Sequence, residues 1–355
     1  MSSMKIKSYR RDYYVDFVKE IPDNLLTSLS ENGFLLIDSN IYSLYPAFKN
    51  AFDESKTLVF DAREENKSFE NSHMIIERLV ENGFKRNHKL IAVGGGITQD
   101  LAGFTSSILY RGVEWVFFPT TLLAQADSCI GSKTSINFGG AKNLIGSFHP
   151  PSKIYCFDGF LSTLKEDDIK SGIGEMLHYF LIEDTRLAEV LMSQYDQVLS
   201  GDLSLISEHT SQSLRIKKYL IEKDEFDAKE RKIFNYGHTF GHAIETLTNY
   251  SISHGRAVTL GIDMANFISY KLGFIKYELY DKIHKIIYKN IPAFTFKEEE
   301  LNKYINLLSK DKKNVNNSIG CILLKQENKA ELTLIEDTNN LKEMIQEYFK
   351  QNEYR

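Results

Sequence analysis

The chain has little of what marks a secreted, membrane-bound or nucleic-acid-binding protein. Only three cysteines, Cys129, Cys156 and Cys321, occur in 355 residues, an odd number with no Cys-x-x-Cys spacing. That argues against a disulfide framework and predicts a reducing, cytoplasmic setting. No basic tract is present, and 43 Lys and Arg against 48 Asp and Glu leave a formal charge of −5. Nucleic acid is therefore not an expected partner. No apolar run approaches the ~20 residues that span a bilayer, so no membrane association is expected. The opening MSSMKIKSYRRDYYVDF lacks the apolar stretch of a secretory leader. Internal repeats and low-complexity segments are missing too.

What is present reads as a globular chain too long for one hydrophobic core, with 42% apolar and 26% charged residues. The first part alternates short β-rich runs, at 34–37 (FLLI), 57–60 (TLVF), 90–93 (LIAV) and 116–118 (VFF), with helical periodicity such as 71–82 (NSHMIIERLVEN). Strand–helix–strand units of this kind predict an α/β domain with a mostly parallel sheet. The boundary is expected at Pro150-Pro151, giving domains 1–151 and 152–355. Beyond a short strand at 155–157, long amphipathic segments at 166–183, 185–199, 203–222, 238–248, 256–272 and 278–287 predict a mainly α-helical second domain. A strand pair is expected at 318–324 and 330–335. The Gly- and Ser-rich segment 127–148 (DSCIGSKTSINFGGAKNLIGSF) shows neither helical nor strand periodicity.

Three groups of residues carry chemistry. His238 and His242 stand four apart in NYGHTFGHAIE, and His254 follows in Ser-His-Gly. A spacing of four places two imidazoles on one helix face, and a third can close a site around a divalent cation that keeps one position open. Spacing alone does not say which two of the three would bind it. The second group is LIAVGGGITQD, a strand entering three glycines, Gly94, Gly95 and Gly96, and then a helix. Such a turn lets backbone amides approach a phosphate, although a tight turn without a ligand would read the same way. The third is cationic: Arg111, Lys133, Lys142, Lys217, Arg231 and the pair Lys312-Lys313, with Asn143 beside Lys142. Most lysines are solvated, but Lys133 and Lys142 lie in the small-residue segment and suit an anionic substrate. Glu175 and His178 share a helix face at a spacing of three, amid glycines and apolar residues.

In order and separation, GGGITQDLAGFTSSILYRG, PTTLLAQADSCIGSKTSIN, GAKNLIGSFHPP and NYGHTFGHAIE resemble the blocks of the dehydroquinate synthase family of sugar-phosphate cyclases over nearly the whole chain. The resemblance implies an N-terminal NAD-binding domain, a C-terminal helical domain with one divalent metal, usually zinc with cobalt as the variant, an active site in the cleft between them, and a homodimer. It implies Glu175, His238 and His254 as metal ligands, which moves His242 to the substrate. Asp127, Lys133, Lys142, Asn143, Lys217, Arg231, Asn235 and Lys312 would line the substrate pocket, with Arg111 reaching the phosphate across a dimer interface. The NAD positions would be Asp38, Asn40, Glu64, Lys67, Gly94, Gly95, Gly96, Asp100, Thr120 and Thr121; Arg63 replaces the glycine usual before Glu64. The implied reaction is transient oxidation of a secondary alcohol polarised by the metal, phosphate elimination, re-reduction, ring opening and intramolecular aldol closure, with NAD regenerated each turn.

Within that family, Arg231, Asn235 and His242 together imply a carboxylated, phosphorylated sugar-acid substrate, 3-deoxy-arabino-heptulosonate 7-phosphate, closing to 3-dehydroquinate. One departure stands out: His178 occupies the place of a substrate-contacting lysine. Imidazole is shorter and, with an ordinary pKa of about 6.5, mostly neutral at pH 7, so altered specificity is expected there. The alternatives are a cyclase of the valiolone or inosose type, a metal- and NAD-dependent polyol dehydrogenase, which would release NADH stoichiometrically, and a non-catalytic NAD-binding homologue.

Overall fold

The computed structural model of the protein describes residues 2–139, 141–295, 297–309 and 318–352. It divides into two compact units, Met1–Leu164 with Lys217–Phe226, and Lys165–Ile216 with Asp227–Arg355. The division expected at residue 151 thus falls early. The strand Lys153–Phe157 belongs to the first unit's sheet, and a short stretch of chain returns to that unit after residue 216.

The first unit holds nine strands: Ser2–Ile6 (β1), Tyr13–Val18 (β2), Gly33–Asp38 (β3), Thr57–Phe60 (β4), Lys89–Gly94 (β5), Glu114–Pro119 (β6), Lys133–Phe138 (β7), Ala141–Phe148 (β8) and Lys153–Phe157 (β9). Seven form one sheet in the order β1-β2-β9-β6-β5-β3-β4. All pairings are parallel except the edge pair β1–β2. Strands β3 and β5 are buried almost end to end, which is why GFLLID and KLIAVG read as continuous apolar runs: a parallel sheet is covered on both faces. Leu35, Ile37, Ile91, Val93, Val116 and Phe118 pack on one face with Phe48, Phe52 and Phe160. The connection from β3 leads outward to β4, and that from β5 leads the other way to β6. The strand order therefore reverses between β3 and β5, where open α/β sheets form a crevice at the strands' carboxyl ends. Asp38 and Gly94 occupy those ends.

Segment 127–148, which shows no periodicity in sequence, contains an antiparallel hairpin pairing Lys133 with Phe148 and Phe138 with Ala141. The physical reason is exposure. β8 is open to solvent along nearly its whole length, so it has no buried face to impose alternation.

The second unit is mainly helical, as expected, with helices at Glu166–Glu183, Thr185–Ser193, Tyr195–Leu199, His238–Leu247, His254–Lys271 and Tyr277–Ile287. The single helix expected over 185–199 is interrupted at Gln194. Strands Ile319–Gln326 (β10) and Lys329–Ile335 (β11) form an antiparallel pair. No helix among the described residues is long and apolar enough to cross a membrane.

Glycines set the closest approaches in this unit. A Cβ on Gly174 would stand 1.9 Å from the Gly255 carbonyl oxygen, and one on Gly255 would stand 1.7 Å from that of Ser171. The amide of Gly255 donates to Ser171 Oγ at 3.0 Å. A Cβ on Gly261 would lie 2.0 Å from the Gly237 carbonyl, and Gly237 itself is left-handed at φ +79. The helices beginning at His238 and His254, and the one carrying Glu175, therefore meet backbone to backbone.

Gly174→Ala is expected to destabilise the protein by about 1–3 kcal/mol or more, as overpacking does, despite alanine's higher helix propensity. Gly83→Ala, which meets nothing within 4 Å, should cost only its left-handed strain, roughly 1 kcal/mol. Urea denaturation of the two variants measures the contrast; equal midpoints would refute it.

Candidate active site

In the second unit three histidines converge, and two of them meet one carboxylate. His238, His242 and His254 bring ring nitrogens within 4.8 Å of one another. Glu175, only 1% exposed, points Oε1 at Nε2 of His254 (3.0 Å) and Nε2 of His238 (3.4 Å). The far side of each ring is anchored. His254 Nδ1 lies 2.9 Å from Glu245 Oε2, and His238 Nδ1 lies 3.2 Å from the Tyr236 carbonyl oxygen. Such contacts fix the tautomer and aim Nε2 inward, the arrangement that supports histidine ligands. His242 is exposed, with its ring stacked on His254 at 5.5 Å and edge-on to His238 at 5.3 Å. The helical spacing in sequence thus does place these imidazoles together, with His242 on the open side.

The charges are strongly coupled. Burial acts to raise the Glu175 carboxyl, but the positive charge of His238 and the contacts from His178, His238 and His254 hold it well below the usual range. Burial likewise acts to lower the His254 imidazole, and the Glu245 and Glu175 carboxylates raise it well above its ordinary value. Nε2 of His238 and of His254 with Glu175 Oε1 make one donor set suited to zinc or a similar divalent ion, and the three imidazoles of His238, His242 and His254 make another.

Arg231, 4% exposed, lies in the 3₁₀ turn Glu230–Asn235, and Asn235 ends that turn with its side-chain amide donating to the Lys232 carbonyl at 3.0 Å. His178, expected at the substrate, lies next to Glu175 on the same helix, its Nδ1 3.6 Å from Oε2. Its ring is fully buried, 0% exposed, beneath Glu175.

In the first unit the expected nucleotide residues follow the carboxyl ends of β3, β4, β5 and β6. Asp38 caps the helix Ser39–Leu44, accepting from the amides of Asn40 (2.9 Å) and Ile41 (3.2 Å), while its other oxygen accepts from Ala62 N at 3.3 Å. The Thr120 amide donates to the Gly94 carbonyl at 2.9 Å. A Cβ on Gly95 would press on Thr121 Cγ2 at 3.0 Å, whereas one on Gly96 would meet only Ser128 Oγ, at 3.8 Å. The backbone is therefore bare at the start of the helix Gly96–Ile108, where anions are favoured.

A polar network joins this edge to the hairpin. Lys67 Nζ, on a side chain only 7% exposed, reaches Asp100 Oδ2 at 2.8 Å and Asn143 Oδ1 at 2.6 Å. Asp100 also accepts from the Ser135 amide at 2.9 Å, and burial nevertheless raises its pKa. Lys142 Nζ stands 3.6 Å from Glu64 Oε1, which also accepts from Asn137 Nδ2 at 2.9 Å. Asn143 is held at φ +53. Lys217 is paired with Asp127, its Nζ 2.7 Å from Oδ1 and 2.8 Å from the backbone oxygen. Lys133 and Arg111 are exposed, and Arg111 sits at φ +63. Lys312 and Lys313 lie outside the described residues.

Three contributors were not expected from the sequence: Glu245, Ser135 and Asn137. Glu245 had a signal, since it stands seven residues after His238 and so faces the same way two helical turns on. Ser135 and Asn137 had none, because their roles depend on the hairpin register.

Residues 57–171 match the family described as 3-dehydroquinate synthase N-terminal, and residues 172–314 match 3-dehydroquinate synthase C-terminal. A 3-dehydroquinate synthase of Clostridium tetani is 37% identical over 334 residues, covering 93% of this chain and 88% of that protein. That of Dictyoglomus thermophilum is 36% identical over 341 residues, covering 94% of each. Among solved structures, a 2-deoxy-scyllo-inosose synthase complexed with carbaglucose-6-phosphate, NAD⁺ and Co²⁺ superposes with a TM-score of 0.84. It is 24% identical and the match covers 98% of this chain and 100% of that one, a likeness of fold. On the two matched segments and on identity sustained over nearly the full length, this chain belongs to the 3-dehydroquinate synthase family.

Proposed function

We propose that the chain is a phosphate-eliminating lyase, a 3-dehydroquinate synthase that converts 3-deoxy-arabino-heptulosonate 7-phosphate to 3-dehydroquinate and phosphate. Family membership supports the reaction class. The observation that carries the reading is Glu175 Oε1 set between Nε2 of His254 and Nε2 of His238, with both Nδ1 atoms anchored. When bound, NAD and a divalent metal, zinc or cobalt, supply the reversible oxidation and the polarisation of the alcohol that precede elimination.

The chain's own residues do the rest. Glu175, His238 and His254 hold the metal, and the glycine-rich turn Gly94, Gly95 and Gly96 receives the NAD pyrophosphate. Asp38 with Asn40, Glu64 and Lys67, Asp100, Thr120 and Thr121 orient the remainder of that cofactor. His242, on the open side of the cluster, faces the substrate with Asn235 and Arg231, whose guanidinium would bind the carboxylate in bidentate fashion. Lys133, Lys142, Asn143, Lys217, Asp127 and, from the sequence, Lys312 surround a polyol phosphate. The division of residues between an α/β NAD-binding unit and a helical metal-binding unit accords with this assignment. Arg111, exposed and in a left-handed turn, is assigned to the substrate phosphate of a second copy in a homodimer. The cytoplasm is the proposed location, consistent with only three cysteines, all buried.

Incubation with the heptulosonate phosphate and catalytic NAD should release inorganic phosphate with no net NADH. Chelation of the metal should stop release, and zinc or cobalt should restore it. Release only from sugar phosphates that lack a carboxylate would move the enzyme to the valiolone or inosose class, and stoichiometric NADH from a simple diol would move it to the polyol dehydrogenases. Glu245→Gln should weaken metal affinity about 10–100-fold, as loss of a histidine's supporting carboxylate does. Metal titration of the apoprotein measures this, and an unchanged affinity would count against His254 as a ligand.

A further inference from the structure

The helix Glu166–Glu183 buries Glu175 and, one turn later, His178. The two oxygens of Glu175 have different surroundings. Oε1 faces the histidine nitrogens at 3.0 and 3.4 Å, whereas Oε2 stands 3.6 Å from His178 Nδ1. The His178 ring is 0% exposed. Its neighbours are rings: Tyr179 at 4.7 Å, His238 edge-on at 5.0 Å, Phe234 at 5.8 Å and Tyr236 at 6.5 Å between centroids.

The terminal torsion of a glutamate is broad, so a carboxylate does not choose its own plane. A buried one also needs donors for both oxygens. Packing by four rings fixes the His178 imidazole, which stands beside Oε2 at 3.6 Å, an electrostatic contact longer than a hydrogen bond. We infer that His178 is a positioning residue for the metal site: it holds the plane of Glu175 so that Oε1 faces His238 and His254. A ring with no exposed surface offers no face to a substrate, so the departure from lysine at this position alters metal retention and leaves sugar specificity to other residues. The inference rests on the assignment of Glu175, His238 and His254 as the metal set.

The test compares His178→Phe, which keeps a ring without a donor, with His178→Asn, whose amide nitrogen falls near the place of Nδ1. Zinc affinity is read by competition with a chromophoric chelator, and the visible absorption of cobalt-loaded protein reports ligand geometry. His178→Phe should lose about 10–100-fold in zinc affinity, the usual cost of removing a group that orients a ligand, with an altered cobalt spectrum. Its KM for the heptulosonate phosphate should be unchanged at saturating zinc. His178→Asn should return zinc affinity to within a few-fold of wild type. Wild-type zinc affinity in a folded His178→Phe protein overturns the inference, as does a raised KM with zinc affinity unchanged, which would make His178 a substrate contact. Should His178→Phe not fold, the Asn variant decides: equal weakening there overturns the inference. Failure of wild-type protein to bind zinc, or indifference to Glu175→Gln, would instead sink the underlying assignment.

Discussion

Backbone-to-backbone contact between glycines is the constraint on which the helical unit depends. Gly174 and Gly255 meet where no Cβ fits, and Gly261 meets the left-handed Gly237 in the same way. Each member of the histidine cluster is a direct sequence neighbour of such a glycine: Glu175 follows Gly174, His238 follows Gly237, His242 follows Gly241, and His254 precedes Gly255. The side chains converge because the backbones behind them touch. Helices normally pack with axes 8–10 Å apart, set by the side chains between them. Removing those side chains at chosen turns draws the helices in, and groups of ordinary length such as a glutamate and two imidazoles then reach a common point.

The first unit solves a different problem. Its hairpin β7–β8 has an exposed strand and little apolar area to hold it, so polar contacts take over. Lys67 joins Asp100 to Asn143, and Glu64 holds both Lys142 and Asn137. A largely buried charge pair such as Lys67–Asp100 is costly to desolvate and a poor source of net stability. The geometry of these contacts nevertheless fixes Asn143 in a left-handed conformation that a β-strand residue does not choose unaided. Residues assigned to the dinucleotide and residues assigned to the sugar phosphate thus share one hydrogen-bonded group.

The sequence was legible where burial imposes a period. Strands β3 and β5 and the helix Glu166–Glu183 lie within a residue or two of expectation, because continuous apolar runs and amphipathic stripes record what each element covers. The mutual approach of His238, His242 and His254 was legible too, since spacing on a helix is a geometric statement. The hairpin was not, because β8 covers nothing. The role of His178 was not either. Its complete burial beside Glu175 is a matter of side-chain environment, which a three-residue spacing does not record. The boundary at Pro150-Pro151 misled because a proline pair marks where a segment stops, while the sheet took in one more strand, β9, beyond it.

The glycine seam also bears on how this protein can vary over generations. Every single-base change that replaces a glycine yields a bulkier residue, a stop, or alanine at best, and alanine already carries the Cβ that Gly174 and Gly255 cannot accommodate. No conservative neighbour exists in the genetic code for these positions. The exposed β8 has many acceptable neighbours at each codon. Substitution therefore has an open route through the hairpin, and almost none through the helices that carry Glu175, His238 and His254.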